Sequence, residues 1–395
     1  MYRQTYLEVD CEKLKNNIIE IKKNYPDYNY YFGVVKANAY GHGSYIINSL
    51  IAGGINYLAV SSLEEALNLR TYNTEIPILI LEPIHLNHIE TCIQNNITIT
   101  VSNTEYFKNL LKSELSNTLK LHIKLDTGMS RLGIQTKEDF NFIIQNIPQN
   151  PKLFLEGIYT HFATSGILDK HWDDQLEKFE KITQDIDLST IPIVHMGRSL
   201  TLVNHPKIPF CNGIRLGIIM YGMSQSMPKT TGLKAFLRNI RNNHTKKKLN
   251  ISPTTTTNNL KLQTAITLYS EVIDLRKIKK NDFVGYGASY IANADSIIAT
   301  IPIGYADGVP RKIKHVVINN TKYNVVGDIC MDMLAVKVDD TVKLGDKVIL
   351  VGGDKLPVKT VANECGINSY TLFTGITTRV PRVYKTKNDS VEIKY

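Results

Sequence analysis

The stretch YYFGVVKANAYGHG, Tyr30 to Gly43, begins as an apolar, β-branched and aromatic run and ends on Lys36, after which small, polar and glycine residues take over. Such a run reads as a buried strand, and its terminal ammonium needs a reason, because lysine is seldom buried unless something pairs or reacts with it. The same texture recurs. YLAV, PILIL, ITITV, LHIKL, LEGIYTH, PIVHM and IRLGIIMY follow in order, giving eight runs in all. Between them lie segments such as SLEEALNLRTY, EYFKNLLKSEL and DDQLEKFEKITQDI, with apolar residues at three- and four-residue spacing. Eight strands alternating with helices predict an α/β fold, a parallel (β/α)8 barrel, since open doubly wound sheets stop at fewer strands. No G-x-G-x-x-G follows the first strand, which removes a dinucleotide site.

Beyond the barrel the texture changes. From Leu260 onward the chain reads as β-branched runs separated by turns, with few helical stretches, and so predicts a mainly β C-terminal domain. The expected organisation is a barrel over residues 10–227, an insertion over 228–260, and a β domain over 261–395 to which residues 1–9 add a strand.

The chain has 395 residues and a formal charge of +9, which raises the question of nucleic acid. The location of the charge answers it. Lys229, Lys234, Arg238, Arg241, Lys246, Lys247 and Lys248 fall between Pro228 and Leu260 with no Asp or Glu, amid Asn and Thr runs. That segment reads as a solvated, low-complexity loop, and the remainder is nearly balanced. No nucleic-acid or membrane partner is expected. The five cysteines are scattered without a C-x-x-C, against a metal site or a disulfide framework, and with no apolar leader near the N-terminus a cytoplasmic location is expected.

Functional groups of a barrel gather where its strands end. Lys36, Lys124, Arg131, His161, Ser199 and Arg215 all fall at such ends by this reading. Taken singly, each has an ordinary structural explanation, as a core histidine, an ion pair or a helix cap. Together they define a candidate active site.

The motifs VVKANAYGHG, KLDTGMSRLG, THFAT, RLGIIMYG, VGYGASY, IPIGYADGVPR, GDICMDM and RVPRVY resemble, in order, those of alanine racemases, pyridoxal-phosphate enzymes of fold type III. The resemblance covers the chain outside the basic insertion. It implies that Lys36 holds the cofactor as a Schiff base and, when released, serves as a base on one face of the substrate Cα. It implies that Tyr286 serves the other face. Phenols do not ionise readily near neutrality, so His161 and Arg215 are the expected helpers. In the family the arginine faces the pyridine nitrogen, which a guanidinium can only donate to. Tyr40, Ser199 and the backbone N–H groups of Gly217 and Ile218 are the implied phosphate donors. Arg131 and the backbone of Met331 are implied for the substrate carboxylate. Lys124 matches a lysine that is carbamylated in some relatives.

The tyrosine and methionine come from a partner's β domain in the family, so a homodimer with shared sites is implied, supplying D-alanine for cell-wall synthesis. Two positions depart from the pattern. Arg198 stands where relatives usually carry asparagine, and Thr378 where many carry a tyrosine near the phosphate. A smaller residue at 378 makes serine, or a broader set of amino acids, an alternative substrate to alanine. A decarboxylase of the same fold type lacks these β-domain motifs, and a cofactor carrier has no use for a second base.

Overall fold

The computed structural model describes residues 3–164, 170–223, 232, 233, 236, 237, 240, 260–387 and 390–393. The expected insertion over 228–260 lies almost wholly outside the described residues. The described chain divides into two compact units: Lys15–Lys36 with Leu50–Leu262, and Met1–Leu14 with Ala37–Ser49 and Gln263–Tyr395.

The first unit is a closed barrel of eight parallel strands: β2 (Tyr30–Val34), β3 (Tyr57–Val60), β4 (Ile78–Ile80), β5 (Ile97–Val101), β6 (Leu119–Lys124), β7 (Leu153–Tyr159), β8 (Ile193–His195) and β9 (Gly213–Leu216). β9 closes onto β2, with Phe32 opposite Arg215. Every one of the eight apolar runs became a strand. They are largely apolar because one face meets the barrel interior and the other the surrounding helices, so ITITV is buried at every position, its two threonines included. The helices begin where side chains satisfy their first N–H groups. Ser62, Asn103 and Thr136 accept from Glu65, Tyr106 and Asp139, respectively. The helix Lys170–Thr183 buries Trp172, Leu176, Phe179 and Ile182 at three- and four-residue spacing.

The second unit is mainly β. Its ten-stranded sheet runs β11 (Asp274–Ile278), β14 (Ser296–Ile301), β17 (Leu334–Val338), β16 (Thr321–Val326), β15 (His315–Ile318), β18 (Lys347–Val351), β10 (Ile266–Glu271), β1 (Tyr6–Asp10), β19 (Arg382–Lys385) and β20 (Ser390–Ile393). β12 (Phe283–Val284) and β13 (Tyr290–Ile291) form a separate small hairpin. β1 pairs antiparallel with β10 and parallel with β19.

Residues 37–49, read from sequence as part of the barrel, group with this β unit instead. The cause is hydrogen bonding. The buried Arg382 donates to Gly41 O through Nε and Nη2, at 3.2 and 3.0 Å, and Tyr384 Oη donates to His42 O at 3.0 Å.

Candidate active site

In a closed parallel barrel all strand C-termini share one rim. Lys36 lies two residues past β2, Lys124 ends β6, His161 lies two past β7, and Arg215 is the penultimate residue of β9. Arg131 stands in the loop after β6. That loop is shaped by Asp126, whose Oδ1 accepts from the N–H groups of Gly128, Met129 and Ser130 at 3.1, 2.9 and 2.9 Å. Burial raises the Asp126 pKa, but the donors, Gln135 included, outweigh it and hold the group below its usual value. The segment KLDTGMSR is therefore a turn built around one carboxylate.

The rim is electropositive. Lys124 is only 6% exposed. Burial, then the charges of Arg131 and Arg215, lower its pKa to about 8. His161 is pushed well below its usual value by burial and by Arg215, Arg198, Arg131 and Lys124, so its ring is neutral. These shifts show that the sequence brings Lys124, Arg131, His161, Arg198 and Arg215 within electrostatic reach of one another. Ser199 and Gly217 also meet, the Gly217 N–H donating to Ser199 Oγ at 3.0 Å. That bond leaves the serine proton free to donate elsewhere. The Ile218 N–H has no acceptor among the described residues.

Arg215 is 3% exposed, and burial lowers its pKa to about 10. Nη1 donates to His195 Nδ1 at 2.6 Å and to His195 O at 3.1 Å. Nη2 donates to Thr160 O at 2.7 Å and Met196 O at 3.0 Å, with His161 Nδ1 at 3.3 Å. Nε–H alone has no partner among the described residues.

Tyr40, Tyr286 and Met331 belong to the other unit. Tyr40 is buried and tilts against Tyr370 at 5.8 Å between ring centroids. Tyr286 opens a one-turn segment between the strands of the small hairpin and is 73% exposed. Met331 is 53% exposed, and its carbonyl accepts from Ala306 N–H at 3.0 Å. Its own N–H has no acceptor among the described residues.

Sequence reasoning missed three buried polar residues behind the rim: His122, His195 and Glu156. In LKLHIK the residues Lys120, His122 and Lys124 share one strand face by the two-residue period, a readable sign of polar groups in an apolar strand. Glu156 gave no such sign, because it sits on a β-bulge. Leu121 pairs with Leu155 and His122 with Gly157, so Glu156 is the extra residue.

The family description "Alanine racemase, N-terminal domain" matches residues 9–225, and "Alanine racemase, C-terminal domain" matches residues 265–384. Alanine racemase 1 of Bacillus subtilis is 30% identical over 400 residues, covering 100% of this chain and 96% of that protein. The crystal structure of alanine racemase from Bacillus anthracis with bound L-Ala-P has a TM-score of 0.85 at 31% identity, covering 100% of this chain and 98% of that one. A histidine racemase from Leuconostoc mesenteroides subsp. sake has a TM-score of 0.81 at 26% identity, covering 98% and 99%. With both halves matched and the whole length aligned, the chain belongs to the alanine racemase family and is an enzyme of the racemase class.

Proposed function

We propose that this enzyme interconverts L- and D-alanine with pyridoxal phosphate as its cofactor, working as a homodimer. The observation that carries the reading is the barrel rim, where Lys36, Lys124, His161 and Arg215 stand at the ends of four strands in a chain of this family. The residues fit the cofactor. A cationic rim suits its phosphate, the Ser199 hydroxyl and the Ile218 N–H are available donors, and the unpartnered Arg215 Nε–H suits a ring nitrogen. When bound, pyridoxal phosphate withdraws electrons from the substrate Cα and so acidifies its proton.

The chain's own groups do the rest. Lys36 holds the cofactor and then removes or returns a proton on one face of Cα. Tyr286, supplied by the partner's β domain, acts on the opposite face. His161 accepts from Arg215 at Nδ1, so its proton sits on Nε2 and is available to the Tyr286 oxygen. The Ser199 hydroxyl and the Ile218 N–H hold phosphate, with the Gly217 N–H fixing the Ser199 oxygen, and Tyr40 is the further donor expected from the family. Arg131 and the N–H of the partner's Met331 hold the substrate carboxylate.

Serine is the second reading, because Thr378 is exposed where a larger tyrosine was expected from the family. A racemisation assay across L-alanine, L-serine and L-histidine tests the substrate. Alanine is expected to turn over fastest with serine accepted, and turnover of neither overturns the reading. Borohydride is expected to bleach the yellow holoenzyme and leave its adduct on the peptide holding Lys36. An adduct on another lysine removes that residue's role.

A further inference from the structure

Arg215 is a buried cation with no carboxylate partner among the described residues. Its counter-charge is reached through two imidazoles. His195 Nδ1 lies 2.6 Å from Arg215 Nη1, His195 Nε2 lies 3.0 Å from His122 Nδ1, and His122 Nε2 lies 3.3 Å from Glu156 Oε2. Tyr57 Oη at 2.6 Å and Thr98 Oγ1 at 2.9 Å also donate to Glu156 Oε2, and Lys120 Nζ lies 3.6 Å from Oε1.

For neutral rings only one proton arrangement satisfies this chain. A guanidinium can only donate, so His195 Nδ1 is bare and its proton is on Nε2. His122 Nδ1 must then be bare, and its Nε2–H donates to the carboxylate. Burial disfavours a charged form of either ring. Burial raises the Glu156 pKa, but hydrogen bonds from His122 and Tyr57 and the charge of Lys120 outweigh it and hold the carboxyl below its usual range, so it is anionic. The rings cannot turn to escape. His195 is stacked between Phe32 and Tyr159, with centroids at 4.5 and 4.7 Å. A Cβ at Gly157 would lie 2.6 Å from the His122 ring, so this glycine gives the ring its place.

We propose that Glu156 is a positioning residue of the reaction: through His122 and His195 it fixes both ring tautomers and so holds the Arg215 guanidinium with Nε–H and Nη2 aligned for the cofactor ring and His161. The role rests on the function proposed above. The bulge at Glu156 is the device that turns its carboxylate into the barrel.

The test is Glu156→Gln, which keeps the volume and removes the charge, read in two ways. Ring-nitrogen NMR of the 15N-histidine holoenzyme without substrate is expected to show both His122 and His195 protonated at Nε2 in the parent. In the variant, an amide that can donate as well as accept no longer holds His122 to Nε2–H, so part of the His122 population should move to the Nδ1-protonated tautomer. Alanine racemisation is expected to lose on the order of 10- to 100-fold in kcat, as when an outer orienting partner is removed, with little change in KM. Thr98→Val, which removes one neutral donor to Glu156, is expected to leave tautomers and kcat near the parent. Should Glu156→Gln not fold, Gly157→Ala displaces the His122 ring while keeping the carboxylate, and the same tautomer shift and kcat loss are expected. Unchanged tautomers or unchanged kcat in the folded variant overturn the proposal. A parent that does not racemise alanine overturns the substrate reading instead, and the NMR arm still decides whether Glu156 sets the tautomers.

Discussion

At the scale of single residues, the decisive fact about the rim is that its cations act on one another. In sequence Lys124 stood out only by its place at a strand end and by its match to a lysine of the family. Its altered acidity comes from folding, which buries it and sets it among Arg131 and Arg215. A carbamate forms only from a neutral amine, which attacks carbon dioxide and releases a proton. With a pKa of about 8, half of Lys124 is neutral at pH 8, whereas a free lysine is almost wholly charged there. The same arginines that lower this pKa stabilise the carbamate anion once it forms. Protein equilibrated with 13C-bicarbonate is therefore expected to show a carbamate carbon resonance that strengthens as pH rises through 8 and fades on acidification. Lys124→Met should lack it. A parent without that resonance at pH 8–9 shows that Lys124 stays a free amine.

At the scale of elements, strands were legible and their distortions were not. The eight runs announced eight strands because doubly buried strands are apolar at most positions. The bulge at Glu156 left no mark, since an extra residue changes pairing without changing composition. The turn after Lys36 was equally hidden. Ala37, Asn38, Ala39 and Tyr40 all take left-handed backbone, with φ of 53°, 53°, 51° and 52°. No glycine there warns of it, and each such residue costs roughly 1–2 kcal/mol. The surroundings hold the turn. The Gly41 N–H closes it onto Ala37 O at 2.9 Å, and Arg382 grips Gly41 O from outside while donating to Ile376, Thr377 and Val380 carbonyls at 2.6–2.7 Å. A Cβ at Gly41 would lie 2.1 Å from Phe373 O, so no side chain fits beneath the clamp. Arg382→Lys keeps the charge but cannot span four carbonyls, and each buried acceptor left unpaired costs about 1–3 kcal/mol. The variant is expected to unfold several degrees below the parent in calorimetry, while Lys385→Met, on an exposed position of the same strand, is not. Equal midpoints for Arg382→Lys and the parent mean that the clamp does not hold the turn.

At the scale of the whole molecule, texture in the sequence separated barrel from β domain, while the contacts that group residues 37–49 with the β unit come from Arg382 and Tyr384, more than three hundred residues away in the chain and invisible to a local reading. The proposed mechanism likewise divides its two bases between distant parts of the chain. Lys36 belongs to the barrel, whereas Tyr286 and Met331 stand exposed on the β unit. Large exposed apolar side chains at positions with assigned chemistry are what a shared site requires of the free chain. A two-fold dimer in which each barrel receives the partner's Tyr286 gives a stoichiometric prediction. Lys36→Ala and Tyr286→Phe are each expected to be nearly inactive, since loss of a positioned acid–base group costs on the order of 10²–10⁴ in rate. When the two are mixed in equal amounts, dissociated and reassembled, half of the dimers combine one of each. In such a dimer one site carries both lesions and the other carries neither. About one quarter of all sites then become native, and about one quarter of parental racemisation should return. Without subunit exchange nothing should return. If each site took both bases from one chain, the mixture would stay as inactive as its components at every ratio, and the shared-site dimer would be wrong even though Lys36 and Tyr286 kept their roles.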